Sequence, residues 1–120
     1  LKDIIATYKR VSNIITNEFK NEEKGTFDQP ETFLFKKDEE KHLYSKINEI
    51  RQYFSSTKKR ENYEETLRLL ASTKLISDNF FDNVIVNDEN LDTKKNRLKL
   101  LQMLCKTYDN FMDFSKVEGV

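Results

Sequence analysis

The sequence predicts an all-α fold, a helical bundle of four main helices plus one short helix. Three observations carry that expectation. Apolar residues recur at helical spacing along almost the whole chain. Two Gly and one Pro in 120 residues leave too few turn formers for a sandwich or a barrel. Leu, Ile, Phe and Tyr dominate an apolar fraction of 37%, enough for one modest core and too much for a disordered chain.

The elements follow in order. Ile4, Tyr8, Val11 and Ile15 keep helical spacing, with Ile5, Ile14 and Phe19 beside them, so a first helix is expected from about Leu1 to Phe19. Residues 20–37 hold one Gly and the Pro with little periodicity, and read as a long loop of a length that is often functional. A second helix should run from near Asp38 to about Phe54 on a stripe of Leu43, Ile47, Ile50 and Phe54, before Ser55, Ser56 and Thr57 break the pattern. Asn62 can cap a third helix, with Glu65 in capping-box position and Tyr63, Leu67, Leu70 and Ala71 as its buried face. Ser77 and Asp78 are placed to cap a short fourth helix holding Phe80 and Phe81. Val84, Ile85 and Val86 are β-branched and read as briefly extended, too short for a sheet. The last helix, capped by Asp92 or Thr93, keeps its period through Leu98, Leu101, Leu104, Cys105, Tyr108, Phe111 and Met112. No internal repeat is visible, so residues 1–120 read as a single domain. The chain opens at Leu1, without a Met and already in a helical pattern, which reads as a domain of a longer protein.

Composition narrows the function. One Cys excludes an internal disulfide framework and fits a cytoplasmic protein. One His and one Cys cannot build a His/Cys metal cage. Gly25 and Gly119 cannot form a Gly-rich phosphate loop. No run approaches a membrane span, so no membrane partner is expected. Asp82 to Asp88 places a β-branched run where a calcium loop needs ligands and a Gly, so metal binding is not expected. His42 lies off the apolar stripe of its helix and reads as a surface or boundary residue rather than a general base. Cys105 lies on the apolar face of the last helix and reads as an inert core thiol. With no nucleophile, base or paired carboxylates to argue for, this stretch of chain is read as non-catalytic.

Lys plus Arg total 21 and Asp plus Glu total 21, but the charges are not evenly spread. Five acids and no base lie between Ser77 and Asp92, and five bases and no acid between Thr93 and Lys106. A protein that coats duplex DNA would be basic overall, so DNA is not an expected partner. Basic patches on a balanced surface suit a module that touches a few phosphates. Lys94, Lys95 and Lys99, with Asn96 and Arg97, gather cations and an amide at the start of the last helix; Lys9 and Arg10 form a second patch, and Lys58, Lys59 and Arg60 a third. Tyr44, Tyr53 and Phe27 are candidate exposed aromatics. Phe80 and Phe81 are expected to plug a bundle end rather than stack bases. Arg97 is read either as an ion-pair partner of Asp82 or Asp78, or as an RNA contact.

The run Ser77-Asp78-Asn79-Phe80-Phe81-Asp82-Asn83-Val84-Ile85-Val86-Asn87-Asp88, then Asn96-Arg97-Leu98-Lys99-Leu100-Leu101, then Asp113-Phe114-Ser115, closely resembles the C-terminal region of the bacterial glycyl-tRNA synthetase beta-subunit family. Lys9-Arg10-Val11-Ser12-Asn13-Ile14 and Leu34-Phe35 with Glu40 and Leu43 are similar to earlier segments of that region, so the resemblance covers nearly the whole chain. The family's Asp-Ala-Leu-Arg tetrapeptide is replaced by Leu91-Asp92-Thr93-Lys94, with Lys94 at the usual Arg. The resemblance implies a DALR-type anticodon-binding helical domain. It also implies a parent enzyme of two alpha and two beta chains that glycylates its tRNA with ATP and Mg2+ in the bacterial cytoplasm. Adenylation would reside in the alpha subunit, and no cofactor is expected in this stretch of chain. The partners implied are a glycine tRNA and the alpha subunit. Lys9, Arg10, Lys94 and Lys95 are then expected to grip phosphates, and Asn96 and Arg97 to meet base edges. The alternative is a helical protein–protein docking module without RNA contact, with the acidic stretch from Asp78 to Asp92 meeting a basic partner.

Overall fold

In the computed structural model, which describes residues 2–18, 29–56 and 63–111, each apolar stripe becomes the inner face of a helix. The order is α1 (Lys2–Glu18), a 3-10 turn (Thr32–Leu34), α2 (Asp38–Ser56), α3 (Tyr63–Ala71), α4 (Thr73–Asn83) and α5 (Leu91–Phe111). No strand occurs among the described residues, and the all-α expectation holds.

Pairing of side chains gives the topology. Tyr8 meets Tyr108 edge to face at 6.3 Å, while Glu18 pairs with Lys94 at 3.1 Å, so α1 and α5 run antiparallel. Lys37 Nζ donates to the Asn83 carbonyl at 2.7 Å, and the Tyr53 and Thr66 hydroxyls share a hydrogen bond, so α2 runs antiparallel to the α3–α4 arm. Helix α1 packs on α4 and α5, and α2 packs on the same two. Ile4, Val11, Leu43, Ile47, Phe80 and Leu101 are among the residues that meet in the centre, each shielded almost completely from solvent. Burying one such side chain stabilises the fold by roughly 1.5–3 kcal/mol. The end of the bundle where α2 and α5 begin and α1 and α4 finish is called the head below.

Three sequence expectations need correction. Helix α4 begins at Thr73, not at Ser77. Ser77 is buried in its second turn, and Asp78 pairs along the helix with Lys74 at 2.7 Å. The break from α3 falls at Ser72 and Thr73, whose hydroxyls donate to the carbonyls of Leu69 and Leu70. Across this break the backbone bond from the Ser72 amide to the Arg68 carbonyl keeps the two helices close in line. The shortest α-helix described is therefore α3, with nine residues against eleven in α4. Helix α5 starts one residue before Asp92: Asn90 Oδ1 accepts from the Thr93 amide at 3.0 Å and caps it. Val84 is extended as expected (φ −122°, ψ 127°) and buried, while Ile85 is exposed. The long loop expected over 20–37 contains the 3-10 turn; residues 20–28 of it lie outside the described residues, as does Asn62 with its expected cap.

Candidate nucleic-acid interface

Arg97 is the polar centre of the head. It lies on α5 with 3% of its side chain exposed. Nη1 donates to the Ile85 carbonyl at 2.6 Å and lies 3.4 Å from Asp88 Oδ2, and Nη2 donates to Glu40 Oε1 at 3.1 Å. The same Glu40 oxygen accepts from the amides of Lys36 and Lys37, both at 3.1 Å, and so closes the start of α2 in the manner of a capping box. One guanidinium thus ties α5 to the α4–α5 loop and to α2. The partners differ from the expected Asp82 and Asp78: Asp82 is exposed and Asp78 pairs with Lys74. The fixed fork of five donors explains how one side chain serves three acceptors.

Asn96, one residue earlier, is 2% exposed. Its Oδ1 accepts from the Glu31 amide at 2.6 Å, and its Nδ2 donates to the Glu31 carbonyl at 3.1 Å. The side chain imitates a strand neighbour and pins the connector that carries the 3-10 turn. The sequence expectation put Asn96 and Arg97 at base edges. Both are instead turned inward, where each holds backbone groups of a neighbouring segment: Asn96 those of Glu31, and Arg97 the Ile85 carbonyl.

The cations divide into two groups. Lys94 is half-buried and held by Glu18. Lys95 is exposed; Lys99 and Lys106 follow it at spacings of four and eleven on the same outward face of α5, a line about 16 Å long. On α1, Lys9 is exposed, and the Arg10 guanidinium lies 4.2 Å from the centre of the Phe81 ring. Arg10 is eight residues before Glu18, so its patch and that of Lys94 are separated by about 12 Å along α1. The six expected residues therefore do not form one cluster.

The aromatics follow their burial. Phe80 is fully buried with half-buried Phe81 edge to face at 5.5 Å, as expected of a plug. Tyr44 packs on Phe35 at 5.4 Å, and Tyr53 is half-buried against Thr66. Phe27, Lys58, Lys59 and Arg60 lie outside the described residues. Phe33, which the helical pattern did not single out, is the most exposed large apolar residue described, at 79%. Its position just before the inward-packed pair Leu34-Phe35 was the available signal.

His42 is exposed on α2. Burial, aided by the charge of Asp109, pushes the Cys105 thiol up to about 12, although a hydrogen bond from Tyr8 opposes the shift. That thiol is neutral and a poor nucleophile. Among the described residues no group of three or more His, Cys, Asp or Glu could hold a metal ion, and no helix is long and apolar enough to cross a membrane.

The described residues form a helical bundle with a pinned head and cations on its outer faces. The family comparison is specific: residues 4–119 match the DALR anticodon binding domain, and the chain belongs to that family. It is similar to the glycine–tRNA ligase beta subunit of Persephonella marina, with 36% identity over 115 residues, 96% of this chain and 15% of that protein. The corresponding subunit of a Sulfurihydrogenibium species is 36% identical over 118 residues, 98% of this chain and 16% of the relative. That of Rickettsia prowazekii is 35% identical over 116 residues, 97% and 16% respectively. The chain thus spans about a sixth of the length of these curated relatives.

Proposed function

We propose that this domain binds the anticodon stem-loop of a glycine tRNA. We further propose that it does so within the beta subunit of a glycyl-tRNA synthetase of the bacterial cytoplasm. The observation that carries the reading is the match of residues 4–119 to the DALR anticodon-binding family. The relatives' shared name supplies the amino acid and the subunit. In this reading the alpha subunit is the partner chain, and ATP and Mg2+ serve the ligase as a whole. This chain's residues bind and orient; no chemical step is assigned to them. Lys9, Arg10, Lys94 and Lys95 grip phosphates, with Lys95 the most available and Lys94 sharing its charge with Glu18. Asn96 and Arg97 act indirectly, by holding the head in shape. A docking module without RNA contact is the weaker reading, because the family matched along nearly the whole chain is one of anticodon binders.

Fluorescence anisotropy of the full-length protein with a glycine anticodon stem-loop tests the proposal. Binding is expected, and it should weaken when the anticodon is exchanged. Affinity indifferent to the exchange would leave a phosphate grip without anticodon reading, and no binding at low salt would refute the proposal.

A further inference from the structure

The head spends two buried polar side chains on a short exposed turn. Asn96 holds both backbone groups of Glu31 on one side of the 3-10 turn, and Glu40 holds the amides of Lys36 and Lys37 on the other. Between them the Leu34 amide donates to the Glu31 carbonyl at 3.1 Å, and that of Phe35 to the Thr32 carbonyl at 3.2 Å. Phe35 packs against the core, and Leu34 is half-buried. Phe33 is left pointing outward, 79% exposed, on a backbone fixed at both ends. An aromatic ring that forgoes burial but is rigidly presented is prepared for a ligand, since little ordering remains to be done on binding.

The surroundings select the ligand. Lys36 is exposed three residues beyond Phe33, and Lys95 is exposed on α5 beside Asn96. Glu31 and Asp92 are exposed nearby and keep the local charge close to balance, so the ring rather than the field would supply selectivity. A protein-docking patch would need contiguous apolar surface. Among the described residues, the other exposed apolar side chains of the head are not placed to extend Phe33 into one. Leu91 precedes Asn96 by five residues, about 140° around α5, and the Ile85 backbone is held by Arg97, not by the Asn96 that holds the turn.

We propose that Phe33 is a stacking platform for one unpaired base of the bound RNA, on a turn positioned by Asn96 and Glu40 and followed three residues on by the exposed Lys36. The inference rests on the anticodon-binding reading and names the residue that would meet the loop. A flat π-face takes any unstacked base, whereas a paired base is shielded within its duplex.

The test compares Phe33→Ala, Phe33→Leu and Phe33→Trp in the full-length protein. Probes are the glycine anticodon stem-loop and a fully paired duplex of the same stem. Phe33→Ala should weaken stem-loop binding by about tenfold. Phe33→Leu should fail to restore it and Phe33→Trp should restore it. Duplex binding, the salt slope and the melting temperature should stay as in the wild type, because the side chain is exposed and uncharged. Wild-type stem-loop affinity in Phe33→Ala would overturn the stacking role and leave the anticodon reading standing. So would equal losses on stem-loop and duplex, or full rescue by Leu. Loss of alpha-subunit assembly with RNA affinity intact would overturn it in favour of a protein contact. A wild-type protein that does not bind the stem-loop overturns both.

Discussion

Arg97 and Glu40 stand 57 residues apart in the chain and meet in the head with 3% and 0% of their side chains exposed. Removing one member of a buried pair leaves the other's charge without compensation, at a cost of about 3–5 kcal/mol. Arg97→Met should therefore lower stability by about 3 kcal/mol in urea unfolding. Adding Glu40→Gln should recover part of that loss, since Gln keeps an oxygen for the Lys36 and Lys37 amides but carries no charge. A stable Arg97→Met protein with weakened RNA affinity would instead assign Arg97 to the interface. Tyr108 and Cys105 govern the alkaline limit. Burial raises the Tyr108 hydroxyl from 10.0 to about 12, against a hydrogen bond with Thr73, and raises the Cys105 thiol from 9.0 to about 12. The unfolded chain releases these protons first, so stability present below pH 9 declines as pH rises towards 12. Melting temperature measured from pH 8 to 11 should fall, and Cys105→Ala should flatten the early part of the fall.

At the scale of elements, boundaries are set by which polar group reaches the free backbone first. Asn90, rather than Asp92 or Thr93, caps α5 because its Oδ1 sits three residues before the Thr93 amide. Asn90→Ala should cost about 1 kcal/mol in chemical denaturation, whereas Asp92→Ala should cost less, by losing only a favourable charge in the first turn. Helices α3 and α4 part at Ser72 and Thr73, whose hydroxyls take the Leu69 and Leu70 carbonyls, while one backbone bond from Ser72 to Arg68 still links them. The connector before α2 owes its shape to α5 and to Glu40, not to its own composition. That dependence explains why residues 29–37 gave no periodic signal yet are ordered around the 3-10 turn.

Over the whole molecule, 21 cations balance 21 acids, so affinity for RNA cannot come from a general positive field. In the proposed reading it comes from particular cations and from the stacking assigned to Phe33. Replacing Lys94 and Lys95 together by Ala should flatten the dependence of log K on log salt by about one unit. Most of that change should appear in the Lys95→Ala single variant, because Lys94 is shared with Glu18. A slope unchanged in the double variant would remove both from the interface. Arg10 lies over the Phe81 ring and, in the proposed reading, also grips phosphate: Arg10→Ala should cost about 0.5–1 kcal/mol of stability, besides any loss of affinity.

The all-α class, the inner faces of the helices and the family likeness were legible in the sequence. They depend on spacing along one helix and on local motifs, which a linear chain displays. Burial of the stripe Leu43, Ile47 and Ile50 followed from periodicity, and that of Phe80 from the burial preference of a large aromatic. Only the tertiary structure decided what Asn96 and Arg97 do, because their partners, Glu31 and Glu40, are 65 and 57 residues away. A cation or an amide looks the same in the sequence whether it faces solvent or a buried carbonyl. The fold brings α2 and α5 together at the head, and desolvation then commits those two side chains to the interior and leaves Phe33 outside.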